Sequence, residues 1–129
     1  RTPLVTTQVE YSLLERGIER EVVPAAQAVG MGILAWSPLG RGVLTGKYRH
    51  SMPIDSRGAN AETAGWVQPY LDERGRRIVD AVAGNPRVEV HRYAGCRHAF
   101  SRHGGAHFDP AAARLSRSRT LEFFARNLL

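Results

Sequence analysis

The sequence predicts an α/β fold in which strand and helix alternate, and three observations carry that expectation. Residues 4–11 contain Val5, Thr6, Thr7 and Val9, β-branched side chains that fit a pleated strand. A helical stretch over 19–29 is followed by the short apolar run Ile33-Leu34-Ala35-Trp36, which reads as a second, buried strand. Near the C-terminus, Asp109-Pro110 has the form of a helix start, an N-cap acid followed by proline at the first helical position. Strand, helix, strand in that order is the unit of a parallel α/β protein.

Taken along the chain, residues 12–16 lead into a turn at Gly17. Glu19 and Glu21 are expected in the first turn of the following helix, where the helix dipole favours acids. Pro24 is tolerated only near such a start, and Gly30 and Gly32 supply the stop. Residues 50–66 hold Pro53, Gly58 and Gly65 without apolar periodicity and read as a long loop, a type that is usually functional. A helix is expected over 68–83, with Leu71, Ile78, Val79 and Val82 apolar and Gly75 a weak point. Gly84-Asn85-Pro86 ends it. Residues 88–93 alternate apolar and polar and predict a half-buried strand. Residues 95–105 read as loop. Leu115, Leu121, Phe124 and Leu128 trace an apolar stripe on the last helix.

Composition narrows the class. The chain has 129 residues, 43% hydrophobic and 23% charged, which is ordinary for a globular domain. No run reaches the length of a membrane span, and no signal-peptide-like apolar helix follows Arg1-Thr2-Pro3, so no membrane role is expected. Cys96 is the single cysteine and forms no internal disulfide, which points to a reducing cytoplasm. The net charge is +6, and Lys47 is the one lysine among 18 basic residues. The arginines are scattered rather than clustered with aromatics, so no specific nucleic acid is expected as partner.

The stretch from Gln8-Val9-Glu10-Tyr11-Ser12-Leu13-Leu14-Glu15-Arg16, followed by Ala35-Trp36-Ser37-Pro38-Leu39-Gly40-Arg41-Gly42-Val43-Leu44-Thr45-Gly46-Lys47-Tyr48 and then Asp55-Ser56-Arg57-Gly58, resembles the aldo/keto reductases. The resemblance covers about residues 1–83. It implies a segment of a (β/α)8 barrel, in a family that moves hydride from NADPH to a small-molecule carbonyl substrate. On that resemblance Trp36 would stack on the nicotinamide ring, and Gln8 would hold the carboxamide with its donor and acceptor. Ser37, Pro38, Leu39, Gly40 and Arg41 would lie along the pyrophosphate, while Lys47 and Arg57 are cations suited to cofactor phosphates. The family's catalytic Asp, Tyr, Lys and His belong to its N-terminal half, outside the matched positions. The segment alone is therefore expected to be inactive.

A second resemblance covers about residues 84–129. Tyr93-Ala94-Gly95-Cys96-Arg97-His98-Ala99-Phe100, Phe108-Asp109, Ala111-Ala112-Ala113 and Arg119-Thr120-Leu121-Glu122-Phe123-Phe124 resemble the end of the dienelactone hydrolases. This implies a terminal strand-loop-helix of α/β-hydrolase type. His98 falls on that family's triad histidine, the general base on the loop after the last strand. The matching nucleophile and triad Asp are not among these positions, so a hydrolase fragment, or a chimeric product without enzymatic function, stands as the alternative to the reductase reading.

Two further readings concern particular residues. Cys96, His98, His103 and His107 are ligand types that suit zinc, at a spacing that matches no established ligand pattern, and no metal is expected. Barrel strands cut from their neighbours leave open edges, which predicts exposed apolar surface and self-association through those edges.

Overall fold

The computed structural model describes residues 4–97 and 99–128. His98, the triad-like histidine, lies outside the described residues, as do Arg1, Thr2, Pro3 and Leu129. The chain divides into two compact units, Arg1–Glu89 and Val90–Leu129.

The first unit begins with the expected strand, β1 (Thr6–Glu10), and the second strand, β2 (Gly32–Trp36), pairs with it in parallel. The register sets Gln8 opposite Leu34 and Glu10 opposite Trp36. Parallel partners require a crossover, and residues 11–31 supply one. Ser12 Oγ accepts the amides of Leu14 and Glu15 at 3.1 and 3.0 Å, fixing the turn out of β1. The crossover helix α1 (Val22–Ala28) is shorter than the sequence predicts. Glu19 does not sit in its first turn but in a preceding 3-10 turn, Gly17–Glu19. There its carboxylate takes two hydrogen bonds from Arg16, at 2.7 and 2.8 Å, and one from the Tyr11 hydroxyl at 2.7 Å. Those three bonds hold Glu19 outside α1 and delay the helix.

The expectation that β2 is buried is not met. Leu34 is 54% and Trp36 38% exposed. A two-stranded sheet with one short crossover helix has too little cover for both faces of a strand.

The core lies after β2. Residues Gly40–Thr45 form two tight turns broken at Arg41 and Gly42. They bring Val43 and Leu44 against Leu14, Val67 and Val79, with Tyr48, Tyr70, Leu71, Ile78 and Val82 packed around them. Val67 comes from α2 (Ala64–Val67), which interrupts the long loop, and Val79 from α3 (Glu73–Ala83). The helix expected over 68–83 is thus split. A 3-10 turn, Gln68–Tyr70, containing Pro69 comes first, and Asp72 then caps α3 by accepting the Gly75 amide at 2.7 Å. Gly75 is a packing requirement rather than a weak point. A Cβ there would overlap the carbonyl of Tyr70, and the residue is buried. The Arg74 guanidinium donates to the Leu14 carbonyl at 3.0 Å, tying α3 to the turn after β1, and Arg49 pairs with Asp80 at 2.8 Å.

Around the start of the second unit the strand predicted over 88–93 is absent; these residues run as irregular chain. Alternation alone does not make a strand. Its backbone groups need a neighbour, and no strand is described in this unit to pair with. Tyr93 and Phe100 stack with ring centroids 5.1 Å apart, His103 and Phe108 at 4.7 Å, and the Arg119 guanidinium lies 5.4 Å above the Tyr93 ring. The last helix, α4 (Pro110–Leu128), starts as the sequence predicts. Asp109 Oδ1 accepts the amides of Ala111 and Ala112 at 3.0 and 2.9 Å. Its stripe is not buried: Leu115, Leu121 and Phe124 are about half exposed. So small a unit has too little surface to enclose a core. Among the described residues, no helix is long and apolar enough to cross a membrane.

Candidate functional site

Parallel pairing puts the C-terminal ends of β1 and β2 side by side, so Glu10 and Trp36 sit together at one end of the sheet. The chain leaves β2 through a run of left-handed conformations: Ser37 (φ 54°), Gly40 (φ 52°), Arg41 (φ 55°), Gly42 (φ 91°) and Gly46 (φ 74°). Two of these are not glycine, and left-handed backbone at such residues is uncommon and recurs at ligand-binding turns. At Gly40 the lack of a side chain is a matter of space as well. The residue is buried, and a Cβ would overlap the Leu14 side chain.

Short internal hydrogen bonds fix the turn. The Gly40 amide donates to the Ser37 carbonyl at 2.8 Å, and the Arg41 amide to Ser37 Oγ at 3.0 Å. The amides of Gly42 and Leu44 both donate to the Leu39 carbonyl, at 3.0 and 3.1 Å. The amides of Gly40, Arg41, Gly42 and Leu44 are therefore used within the turn.

Arg41 is the centre of the cluster. Its guanidinium lies 4.9 Å from the Trp36 ring centroid and 5.6 Å from that of Trp66, so two indoles flank one cation. One of its nitrogens stands 3.5 Å from Glu10 Oε2, and both side chains are about one-fifth exposed. The other Glu10 oxygen accepts the Tyr70 hydroxyl at 2.9 Å. Burial, then the hydrogen bond to Glu10, raises the Tyr70 phenol above its ordinary value, with Arg41 partly opposing.

The remaining predicted residues lie on β1, on the turn and on the loop that follows it. Gln8 is exposed and precedes Glu10 by two positions, on the same face of β1. Pro38 and Leu39 are exposed on the turn. Lys47 bends back over it: its ammonium would lie 3.2 Å from a Cβ at Gly42, and it is 5.0 Å from the Tyr48 ring centroid. Arg57 is half-buried, and its carbonyl accepts the Thr63 hydroxyl at 2.8 Å. The fold therefore brings Trp36, Ser37 and Arg41 together, with Lys47 along the same turn. Sequence reasoning missed Glu10, Trp66 and Tyr70. Only Glu10 carried a signal, its alternation with Gln8.

In the second unit, Cys96 is a half-buried free thiol. Among the described residues, no group of three or more His, Cys, Asp and Glu side chains is gathered as a metal site would require.

Comparison with known proteins finds relatives of two kinds. The family model described as Aldo/keto reductase family matches residues 1–77, more than half of the sequence. The chain is 61% identical over 44 residues to an uncharacterized oxidoreductase of Bacillus subtilis, covering 34% of this chain and 14% of that protein. It is 38% identical over 78 residues to a rice protein named "Probable voltage-gated potassium channel subunit beta" (Oryza sativa subsp. japonica), covering 59% and 22%. It is also 50% identical over 56 residues to the "Putative carboxymethylenebutenolidase" of Azospirillum brasilense, a dienelactone hydrolase relative, covering 43% and 24%. The chain thus spans about a quarter or less of the length of each of these curated relatives.

Proposed function

The chain belongs to the aldo/keto reductase family, and on that premise we propose that residues 1–83 are a cofactor-facing segment of an NADPH-dependent carbonyl reductase. The observation that supports this most is the arrangement at the C-terminal ends of β1 and β2, the end at which barrel enzymes carry their sites. There an indole stands beside a left-handed turn flanked by Arg41 and Lys47.

The chemistry of this donor set fits a nicotinamide dinucleotide. The Trp36 indole offers a flat apolar face to an aromatic ring. Gln8 has the donor and acceptor that a carboxamide needs. Lys47, Arg57 and the Ser37 hydroxyl are the side chains we assign to phosphate oxygens. The turn amides of Gly40 and Arg41 are already paired, so these side chains rather than backbone N–H groups would hold the anion. When bound, the reduced nicotinamide supplies hydride to a carbonyl carbon. The chain's own residues orient the ring, shield one of its faces and neutralise phosphate charge. The proton donor would come from the family's N-terminal half, so we expect binding without turnover from this segment.

A second reading concerns residues 84–129, which we assign to a dienelactone-hydrolase-type end carrying His98 as a triad remnant. The 50% identity over 56 residues to the Azospirillum protein supports it. The seam between the two segments would lie near residues 80–86. On the single cysteine we place the protein in a reducing cytoplasm. We also place self-association at the outer edges of β1 and β2, which have no strand neighbour among the described residues. NADPH binding, read through the fluorescence of Trp36 in the Trp66→Phe chain, tests the leading assignment. Indifference of the protein to NADPH at millimolar concentration would refute it.

A further inference from the structure

We propose that Arg41 selects what reaches the Trp36 ring, favouring flat rings that carry a phosphate over the same rings without one. The proposal rests on the cofactor reading above and extends it to a residue that reading treats only as one contact among several.

A ring stacked on Trp36 must take a face, and one is already occupied. The Arg41 guanidinium sits 4.9 Å from the Trp36 centroid, with Trp66 against it at 5.6 Å. A planar cation held against two indoles resembles a bound ligand, supplied here by the chain itself. Entry of a free ring on that face would have to displace this cation while giving it nothing in return.

The restraint on Arg41 is loose in a particular way. Charge-assisted N–H···O contacts are shortest near 2.7–2.9 Å, whereas Arg41 stands 3.5 Å from Glu10. Glu10 makes its short bond elsewhere, at 2.9 Å to Tyr70. A phosphate group, with two oxygens side by side, offers a guanidinium the bidentate contact that Glu10 does not provide here. Lys47, along the same turn, adds a second positive charge that draws an anion to this place. A ligand bearing both ring and phosphate can therefore take Arg41 away from Glu10 and occupy the uncovered indole in one event. The Arg41 backbone is held at a φ of 55° and by the hydrogen bond its amide donates to Ser37 Oγ, so the side chain alone swings.

The test uses the full chain carrying Trp66→Phe, which leaves Trp36 as the one indole and keeps an aromatic ring beside Arg41. Two probes share one ring: reduced nicotinamide mononucleotide, with its phosphate, and reduced nicotinamide riboside, without it. Acrylamide quenching of Trp36 is measured first, with no ligand present. Arg41→Gln should raise the quenching constant by uncovering the indole. The parent should prefer the phosphorylated ring roughly tenfold, the worth of one charge-assisted contact at a part-exposed site. That ratio should fall toward one in Arg41→Gln. Glu10→Gln, which frees Arg41 without removing it, should move the ratio the other way and guards against a folding defect in the first variant. Binding of both rings with a ratio that neither substitution alters would overturn the role of Arg41 and leave the cofactor reading standing. Failure of every form to bind either ring would overturn both.

Discussion

Replacing Gly75 by alanine separates two accounts of α3 because they differ in sign. Helix propensity alone favours alanine over glycine in a helix by about 1 kcal/mol. The packing says otherwise. Gly75 is buried at the third position of α3, its amide is held by Asp72 at 2.7 Å, and a Cβ would meet the Tyr70 carbonyl, which is backbone and moves only with its turn. Forcing that contact open costs about 1–3 kcal/mol on the scale of overpacked cores. If the 70–72 turn shifts enough to break the Asp72 cap, roughly 1 kcal/mol more is lost. After subtracting the propensity gain, the net destabilisation is about 1–3 kcal/mol. With a urea slope of about 1–3 kcal/mol per molar for a small protein, the midpoint should fall by roughly 1 M. Urea denaturation followed by circular dichroism at the helical minimum reads this directly. A midpoint that rises on Gly75→Ala would refute the packing argument and restore the view of Gly75 as a weak point.

Two other outcomes follow from the same structure. Leu14 is almost fully buried in the core and Leu121 is about half exposed on α4. Leu14→Ala should therefore cost about 2–5 kcal/mol, and Leu121→Ala a small fraction of that, in the same urea assay. On the acid side, the Arg16 hydrogen bonds first, and then the Tyr11 hydroxyl, hold the Glu19 carboxyl below its ordinary value of 4.5. A depressed carboxylate contributes stability above its unfolded value and loses it as pH falls through the folded one. The parent chain should thus lose stability below that ordinary value, by an amount that Glu19→Gln reduces. An unchanged acid limb in Glu19→Gln would remove the Arg16–Glu19–Tyr11 network from any role in the fold.

What the sequence makes legible is local. β1 and β2 follow from β-branched and apolar runs, and the start of α4 follows from Asp109-Pro110, because a strand's side-chain preference and a helix cap are each written within a few residues. The missed features need partners far away. Residues 88–93 have the alternation of a strand, but among the described residues the second unit holds no strand for them to join. The face of β2 is apolar enough for burial, but the two-stranded sheet offers too little to bury it against. At the site, Trp36 and Ser37 stand out by resemblance, whereas Tyr70 reaches Glu10 across 60 positions of chain. Trp66 stands in what reads as featureless loop until α2 carries it to Arg41. The helix over 68–83 fails at Pro69 and Asp72, since a 3-10 turn and a cap each break a pattern that periodicity alone reads as continuous.

The most direct measurement is a urea titration of the Trp66→Phe chain, followed by Trp36 fluorescence with and without NADPH. A ligand that binds only the folded state raises stability by about 2.7 kcal/mol at one hundred times its dissociation constant. That corresponds to a midpoint higher by roughly 1–3 M urea. A single cooperative transition displaced upward by NADPH is the predicted result, with Trp36 emission quenched before unfolding begins. A midpoint and an emission that NADPH leaves unchanged would contradict the assignment of the Trp36 end of the sheet to a dinucleotide.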